Sequence, residues 1–448
     1  MFERNCMAEL GKWAAKPNRK PLILRGSRQV GKTTLVDGFS RNFDNYLYLN
    51  FEKNPSATAL FEKEQEIDDL LAEIFLFCKK ENKPGKILLF MDEIQNSATA
   101  IMKLRYFYEA NFTDLYVIAA GSLLETLLDK NNSFPVGRVE YLAVRPCVFN
   151  EFLQAIGEIQ LVKALLDCRI PKALHGKTMN LFNTFTLIGG MPEVVADYAA
   201  NKNFVGLNGI YESFLTSYRD DVEKYARNET MRQTIRHILQ SGWKFAGERI
   251  TFGCFAGSSY KSREMGEAFR ALEKTFILEL CHPTTDTLVP LSKDLKRSPK
   301  LWWLDCGLVN YAANTQKEVF GAADILDVWR GKVAEQMVAQ ELLALDCRVS
   351  NQRNFWVRNK KDSDAEVDFV VQHDSKIIPI EVKSGHQAKL RSLHLFMDEV
   401  QHDIAVRVWS QPFSIDEVST QNGKKFRLIN LPIYYIGVLE EILRRNTK

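Results

Sequence analysis

The chain has 448 residues, 46% of them apolar and 26% charged, an ordinary globular composition with length enough for several cores. That length predicts two to four domains. A formal net charge of +3 is too small to indicate nucleic-acid binding by itself, so any basic patch must be local.

The first residues, Met1-Phe-Glu-Arg-Asn-Cys6, are charged and lack the apolar run of a secretory signal. The apolar stretch 87–91 is far too short to span a bilayer, so no membrane partner is expected. Eight cysteines are scattered singly, without a Cys-x-x-Cys pair, which reads as reduced thiols of a cytoplasmic protein. Seven histidines are equally dispersed. His237, in a helical pattern, and His282, after a strand, read as surface or satisfied core residues rather than metal ligands.

In chain order, 8–13 reads as an entry helix. Apolar strands are expected over 22–24, 46–51, 87–91, 116–120 and 141–144, with helices between them, for example over 67–78 and 100–109. Near-continuous apolar strands alternating with helices predict a parallel sheet covered on both faces. The first strand runs into Gly26-x-x-x-x-Gly31-Lys32-Thr33 and then a helix. This is the phosphate-loop pattern in its required context. Glycines at 26 and 31 allow backbone conformations closed to other residues. The amides of Gly26, Ser27, Arg28, Gln29, Val30, Gly31, Lys32, Thr33 and Thr34 then line an anion cradle at a helix start. Lys32 is a point charge for the β- and γ-phosphates of ATP, and Thr33 offers a hydroxyl to magnesium.

The third strand ends in Asp92-Glu93, at the carboxyl edge of the sheet beside the cradle. Asp92 is suited to hold magnesium and Glu93 to activate the attacking water; the plainer reading is a pair of helix-capping acids. The next strand ends at Gly121-Ser122, where Ser122 is either a γ-phosphate sensor or a helix N-cap. Arg138, on the following turn, is either a charge donor to a phosphoryl transition state, in cis or from a neighbour, or a solvated surface arginine.

These strings together resemble a known family. Arg25-Gly-Ser-Arg-Gln-Val-Gly-Lys-Thr-Thr34, Asp92-Glu-Ile-Gln95, Ala120-Gly-Ser122 and Gly137-Arg138 with Pro146 and Phe149-Asn-Glu-Phe152 look like the prokaryotic AAA+-type P-loop ATPases that carry a carboxyl-terminal nuclease-like domain. The resemblance implies a hydrolytic acidic pair, with Ser122 as sensor and Arg138 as arginine finger.

The strand signal stops after 165. Helices are expected over 161–166, 178–185 and 204–218, with Gly189-Gly190-Met-Pro192 as a breaker, which suggests a helical lid over 166–228. The polar segment 217–221 has no evident role. Residues 229–320 read as helix, short helix near 252–255, a helix capped by Ser262, and strands over 276–280 and 301–304. That order resembles a winged helix. Lys261, Arg263 and Arg270 fall on or near its third helix, and Lys293, Lys296, Arg297 and Lys300 in its wing, as candidate contacts to DNA phosphates or as an interaction surface for protein.

Residues 321–448 begin with a helix over 328–345 carrying Glu335, then strands over 355–357, 366–371 and 377–383. Glu381 and Lys383 are alternate residues of one strand and share a face, and a hairpin brings Asp368 beside them. Two carboxylates suit magnesium, and Lys383 suits positioning a water or stabilising charge on a cleaved phosphodiester. The Asp368…Glu381-x-Lys383 arrangement resembles the restriction-endonuclease-like PD-(D/E)xK superfamily, and Glu335 matches the acid on its preceding helix. The expected architecture is therefore α/β: a P-loop ATPase core over 1–165, the lid, the winged-helix-like module and a nuclease-like domain. The expected function is ATP turnover coupled to action on DNA. The alternatives are a nucleotide-controlled switch that binds DNA or protein without cutting, and a plain NTPase acting on proteins. The number of subunits is left open.

Overall fold

The computed structural model describes residues 2–121, 135, 137–314, 330–360, 365–383 and 390–446. Ser122 lies outside them. After α1 (Cys6–Ala14), the chain alternates β1 (Leu22–Arg25), α2 (Lys32–Phe39), β2 (Asn45–Asn50), α3 (Ser56–Glu62), α4 (Ile67–Phe77), β3 (Ile87–Asp92), α5 (Ala98–Glu109), β4 (Leu115–Ala120) and β5 (Glu140–Ala143). The five strands form one parallel sheet in the order β2-β3-β4-β1-β5. Successive side chains point to opposite faces. Leu88 and Phe90 accordingly enter the core under α1 and α2, and Leu89 and Met91 enter the one under α3, α4 and α5. Burial on both faces explains why these strands read as unbroken apolar runs.

Helices follow: α6 (Phe149–Ala155), α7 (Ile159–Leu166), α8 (His175–Ile188), α9 (Pro192–Asn201) and α10 (Asn208–Tyr225). Gly189 turns the chain between α8 and α9 with φ +71, and a Cβ there would strike the Asp305 carboxylate and the Gly307 amide. Pro192 then opens α9, where a missing N–H costs nothing.

The middle part comprises α11 (Glu229–Ser241), α12 (Ser262–Lys274), the antiparallel pair β6 (Leu278–Cys281) and β7 (Lys300–Trp303), and α13 (Cys306–Ala312). Met265, Ala268, Phe269 and Leu272 are buried, as their spacing requires. Three expectations are corrected. The short helix near 252–255 is a single 3-10 turn, Phe255–Gly257, because Cys254 and Ala256 both take left-handed backbone angles. Ser262 is the first helical residue rather than the cap; Lys261 holds that position, and its amide donates to Glu264. The loop between β6 and β7 is no free wing. Thr284 exchanges backbone hydrogen bonds with Phe355 and Val357 of the carboxyl-terminal part, and Val289 and Leu291 pack on its core.

That last part holds α14 (Arg330–Ala344), β8 (Trp356–Val357), β9 (Glu366–Val367), β10 (Phe369–His373), β11 (Lys376–Val382), α15 (Arg391–Glu399), β12 (Ile404–Trp409), β13 (Ser414–Ser419), β14 (Lys425–Pro432) and α16 (Leu439–Asn446). Its mixed sheet runs β10-β11-β12-β14-β13. The strand expected over 366–371 breaks at Asp368, since β9 pairs with β8 while β10 pairs with β11. One sheet face packs on α15. The other face, with Ile380, Val406 and Ile429, joins the same continuous core as α1, α2 and the lid helices. Apolar packing thus fixes the carboxyl-terminal part against the rest. Among the described residues no helix is long and apolar enough to cross a membrane.

Candidate nucleotide site and a carboxyl-terminal acid–lysine cluster

The cradle between β1 and α2 is shaped by three positive backbone angles, Gly26 at φ +146, Gln29 at +64 and Gly31 at +89. A Cβ on Gly26 would lie 2.3 Å from the Val144 carbonyl oxygen, so only glycine fits. Lys32 is buried and donates to the carbonyls of Gly26 at 3.0 Å and Ser27 at 2.8 Å. Burial lowers its pKa to about 8, against the opposing pull of Glu93 and Asp92. A desolvated ammonium held only by neutral carbonyls gains from any anion that enters beside it.

Parallel pairing of β3 with β2 and β4 brings Asp92 to the same sheet edge. Thr33 Oγ1 donates to Asp92 Oδ2 at 3.0 Å. Tyr48 Oη and Asn50 Nδ2 donate to that oxygen as well, at 3.1 and 3.3 Å, and Asp92 is 4% exposed. A hydroxyl and a carboxylate in contact are a hard-oxygen donor pair that fits magnesium. Glu93 takes a left-handed backbone angle, φ +51, and accepts from the Gln95 amide, which aims its carboxylate.

Several partners of this site escaped the sequence. Arg4, ahead of α1, donates to the Val30 and Arg145 carbonyls and pairs with Glu151 of α6 at 3.0 Å. Two residues from Glu151, the Phe149 amide donates to Glu341 of α14 at 2.8 Å. Burial raises the pKa of Glu341 to about 8. From the lid, Asp221 pairs with Arg28 at 2.7 Å, and Tyr218 Oη donates to the Arg28 carbonyl at 3.5 Å. The segment 217–221 therefore rests on the cradle. The apolar spacing of Tyr211, Phe214, Leu215 and Tyr218 marks the buried face of α10, of which Tyr218 reaches the cradle.

Arg138 is elsewhere. It precedes β5, whose Glu140 pairs with Leu22 at the amino end of β1, whereas the cradle follows Arg25 at the other end. Four residues of strand, about 13 Å, separate the two ends. Arg138 is bound to Glu109 at 3.3 Å and half exposed, so the structure does not bring it to the cradle of its own chain.

In the carboxyl-terminal part, Glu335, Asp368, Glu381 and Lys383 do come together. Lys383 Nζ lies 2.8 Å from Glu381 and 4.0 Å from Asp368, and Asp368 accepts from the Val382 amide at 2.8 Å. Burial, and then the charge of Asp368, raises the pKa of both Glu335 and Glu381. The sequence missed one member. Lys300, expected on an exposed wing, is 3% exposed, with Nζ at 2.7 Å from Glu366, 3.7 Å from Glu335 and 3.9 Å from Asp368. Its strand β7 faces α14, where Gln336 bonds both the N–H and the C=O of Trp303, and that pairing turns Lys300 inward. The oxygens of Glu335, Asp368 and Glu381 suit a hard divalent cation, yet their arrangement does not fit one. Two ammonium groups stand among them, and among the described residues no His, Cys, Asp or Glu group of three or more is arranged to hold a metal.

Of the remaining predicted phosphate contacts, Lys261, Arg263, Arg270 and Lys296 are exposed. Arg263 pairs with Glu267, Lys293 is bound to Gln352, and Arg297 pairs with Asp294 and reaches Asn359.

Residues 18–153 match the family model described as an AAA domain. This part of the chain is a P-loop ATPase domain of the AAA type. Beyond this AAA domain, residues 179–319 and 330–432 match two further models, each described as a domain of unknown function (DUF8612 and DUF4143). The comparison with curated proteins gave no match. Among solved structures the chain is similar to the Walker-type ATPase paby2304 of Pyrococcus abyssi, at 13% identity over 70% of this chain and 96% of that one, with a TM-score of 0.43. It is also similar to PCH-2 of C. elegans, at 11% identity over 44% of this chain and 61% of that one, TM-score 0.28. A third is Drosophila ORC bound to DNA, at 14% identity over 59% and 65%, TM-score 0.26.

Proposed function

We propose that this protein binds ATP in the cradle Gly26–Thr34, hydrolyses it, and uses the cycle to license action of its nuclease-like carboxyl-terminal part on DNA. The observation that carries the first half is the 3.0 Å contact between Thr33 and Asp92, which joins two motifs 59 residues apart at one sheet edge. Lys32 exchanges its two carbonyl partners for phosphate oxygens, which restores the charge stabilisation that burial removed. Thr33 and Asp92 hold magnesium, whose charge offsets that of the phosphates. Glu93, oriented by Gln95, takes the proton of the attacking water. Arg138, at the far end of the sheet, serves as the finger of a neighbouring copy. The phosphate contacts of DNA fall to the exposed Lys261, Arg263 and Arg270, and the phosphodiester to Asp368, Glu381 and Lys383.

A second reading is favoured by Lys300, which fills the acidic cluster: a nucleotide-controlled switch whose carboxyl-terminal part binds DNA or protein and cuts neither. One experiment separates the two. Purified wild type, Lys32→Ala and Lys383→Ala are incubated with ATP, magnesium and linear, supercoiled and single-stranded DNA. The first reading expects cleavage by wild type that Lys383→Ala loses while its ATP hydrolysis persists. Binding without any cleavage selects the switch. ATP hydrolysis by Lys32→Ala at the wild-type rate removes the nucleotide site itself.

A further inference from the structure

The carboxyl-terminal cluster is assembled from two separately matched stretches of chain. Lys300 belongs to residues 179–319, and Glu335, Glu366, Asp368, Glu381 and Lys383 follow within 330–432. Its ammonium makes its closest contact with Glu366 and stands within 4 Å of Glu335 and Asp368. The rings of Phe355 and Trp302 wall it at 5.0 and 5.9 Å. Arg249, bridged to the Lys300 backbone, adds a second positive charge 3.7 Å from Glu366. One carboxylate oxygen is left over. Glu381 is 4% exposed, and its Oε2 is buried without a hydrogen-bond partner among the described residues, although Oε1 is held by Lys383. A buried anionic oxygen without a donor is costly, and a cation satisfies it.

We propose that Lys300 is a resident cation that closes this cluster to divalent metal. The proposal rests on the nuclease-like reading of the cluster. The carboxylates of Glu335 and Asp368 are ion-pair partners of the Lys300 ammonium at 3.7 and 3.9 Å. An ammonium and a divalent ion cannot share those oxygens at close range, because like charges a few ångströms apart in a buried site repel strongly. Replacing Lys300 by an uncharged side chain leaves Glu335, Asp368 and the spare oxygen of Glu381 with Lys383 as their remaining ammonium, and carboxylate oxygens of this kind suit magnesium and manganese.

The test is a calorimetric titration of the full-length protein with manganese chloride, without nucleotide. Wild type is compared with Lys300→Met and with the double variant Lys300→Met/Glu366→Gln. The double variant removes the close ion pair as a neutral unit and keeps the net charge of the cluster, so it keeps a folded protein available if the single variant fails to fold. A third protein adds Glu381→Gln to the double variant and identifies heat that comes from the cluster rather than from Asp92. The expected result is manganese binding at least tenfold tighter in the double variant than in wild type, and lost on adding Glu381→Gln. Equal Glu381-dependent affinity with and without Lys300 overturns the proposal and leaves the nuclease-like reading standing. Absence of Glu381-dependent binding in every protein overturns both.

Discussion

Lys32, in the phosphate cradle, and Lys300, in the carboxyl-terminal cluster, are both buried ammonium groups with opposite surroundings. Lys32 faces neutral backbone carbonyls, and desolvation lowers its pKa to about 8. Lys300 suffers the same desolvation, but Glu366, Glu335 and Asp368 outweigh it and raise its pKa. A carbonyl gives up an ammonium readily when a phosphate arrives; three carboxylates do not. The first site is thus prepared for an anion, and the second is already neutralised from within the chain.

The sharpest way to break the comparison is to remove the proposed water-activating group of the first site, Glu93, while keeping its ammonium. Glu93→Gln is expected to lower ATP turnover about 10²- to 10³-fold with little change in nucleotide affinity, measured by phosphate release and by equilibrium binding. An equal loss in both would mean that Glu93 shapes the cradle and not the water. The pH response comes next in size. Bound phosphate favours charged Lys32, so affinity for an ATP analogue should be level below about pH 8, where the free protein already carries the charge. Above that pH it should fall about tenfold per unit, while Lys32→Arg stays flat. A flat wild-type profile would show that the cradle lysine is not desolvated. The smallest effect concerns Glu341, which lies between the two sites on α14. Its pKa rises on folding from 4.5 to about 8, so the buried protonated acid favours the fold most at low pH, and that favour is lost as pH rises through about 8. Glu341→Gln keeps an oxygen for the Phe149 amide and should raise Tm by a few degrees near pH 9, with little change near pH 5. A Tm that falls equally at both would show that the acid is needed for its charge.

Local chemistry was legible in the sequence because its signals are short in range. Glycine at 26 and 31, the burial period of β1 to β5 and the spacing of α12 are set by a residue and its near neighbours, and the structure keeps all of them. Asp92 was found because a parallel sheet places the ends of alternate strands along one edge. Misjudged residues depended on what lay across the chain. Lys300 looked like a wing charge until β7 turned it against acids up to 68 residues away. Asp221 and Tyr218 looked idle until α10 laid them on Arg28. Arg138 sits a few residues from the cradle's own strand pair, and only the register of β5 on β1 decides that it stands away from the cradle of its own chain. The sequence by itself determined most of the elements of the first sheet and the backbone shape of the candidate phosphate loop, because backbone freedom, apolar period and side-chain type are local properties. Tertiary structure alone decided which charges meet, because a buried ammonium takes its partners from packing that brings together residues far apart in the chain.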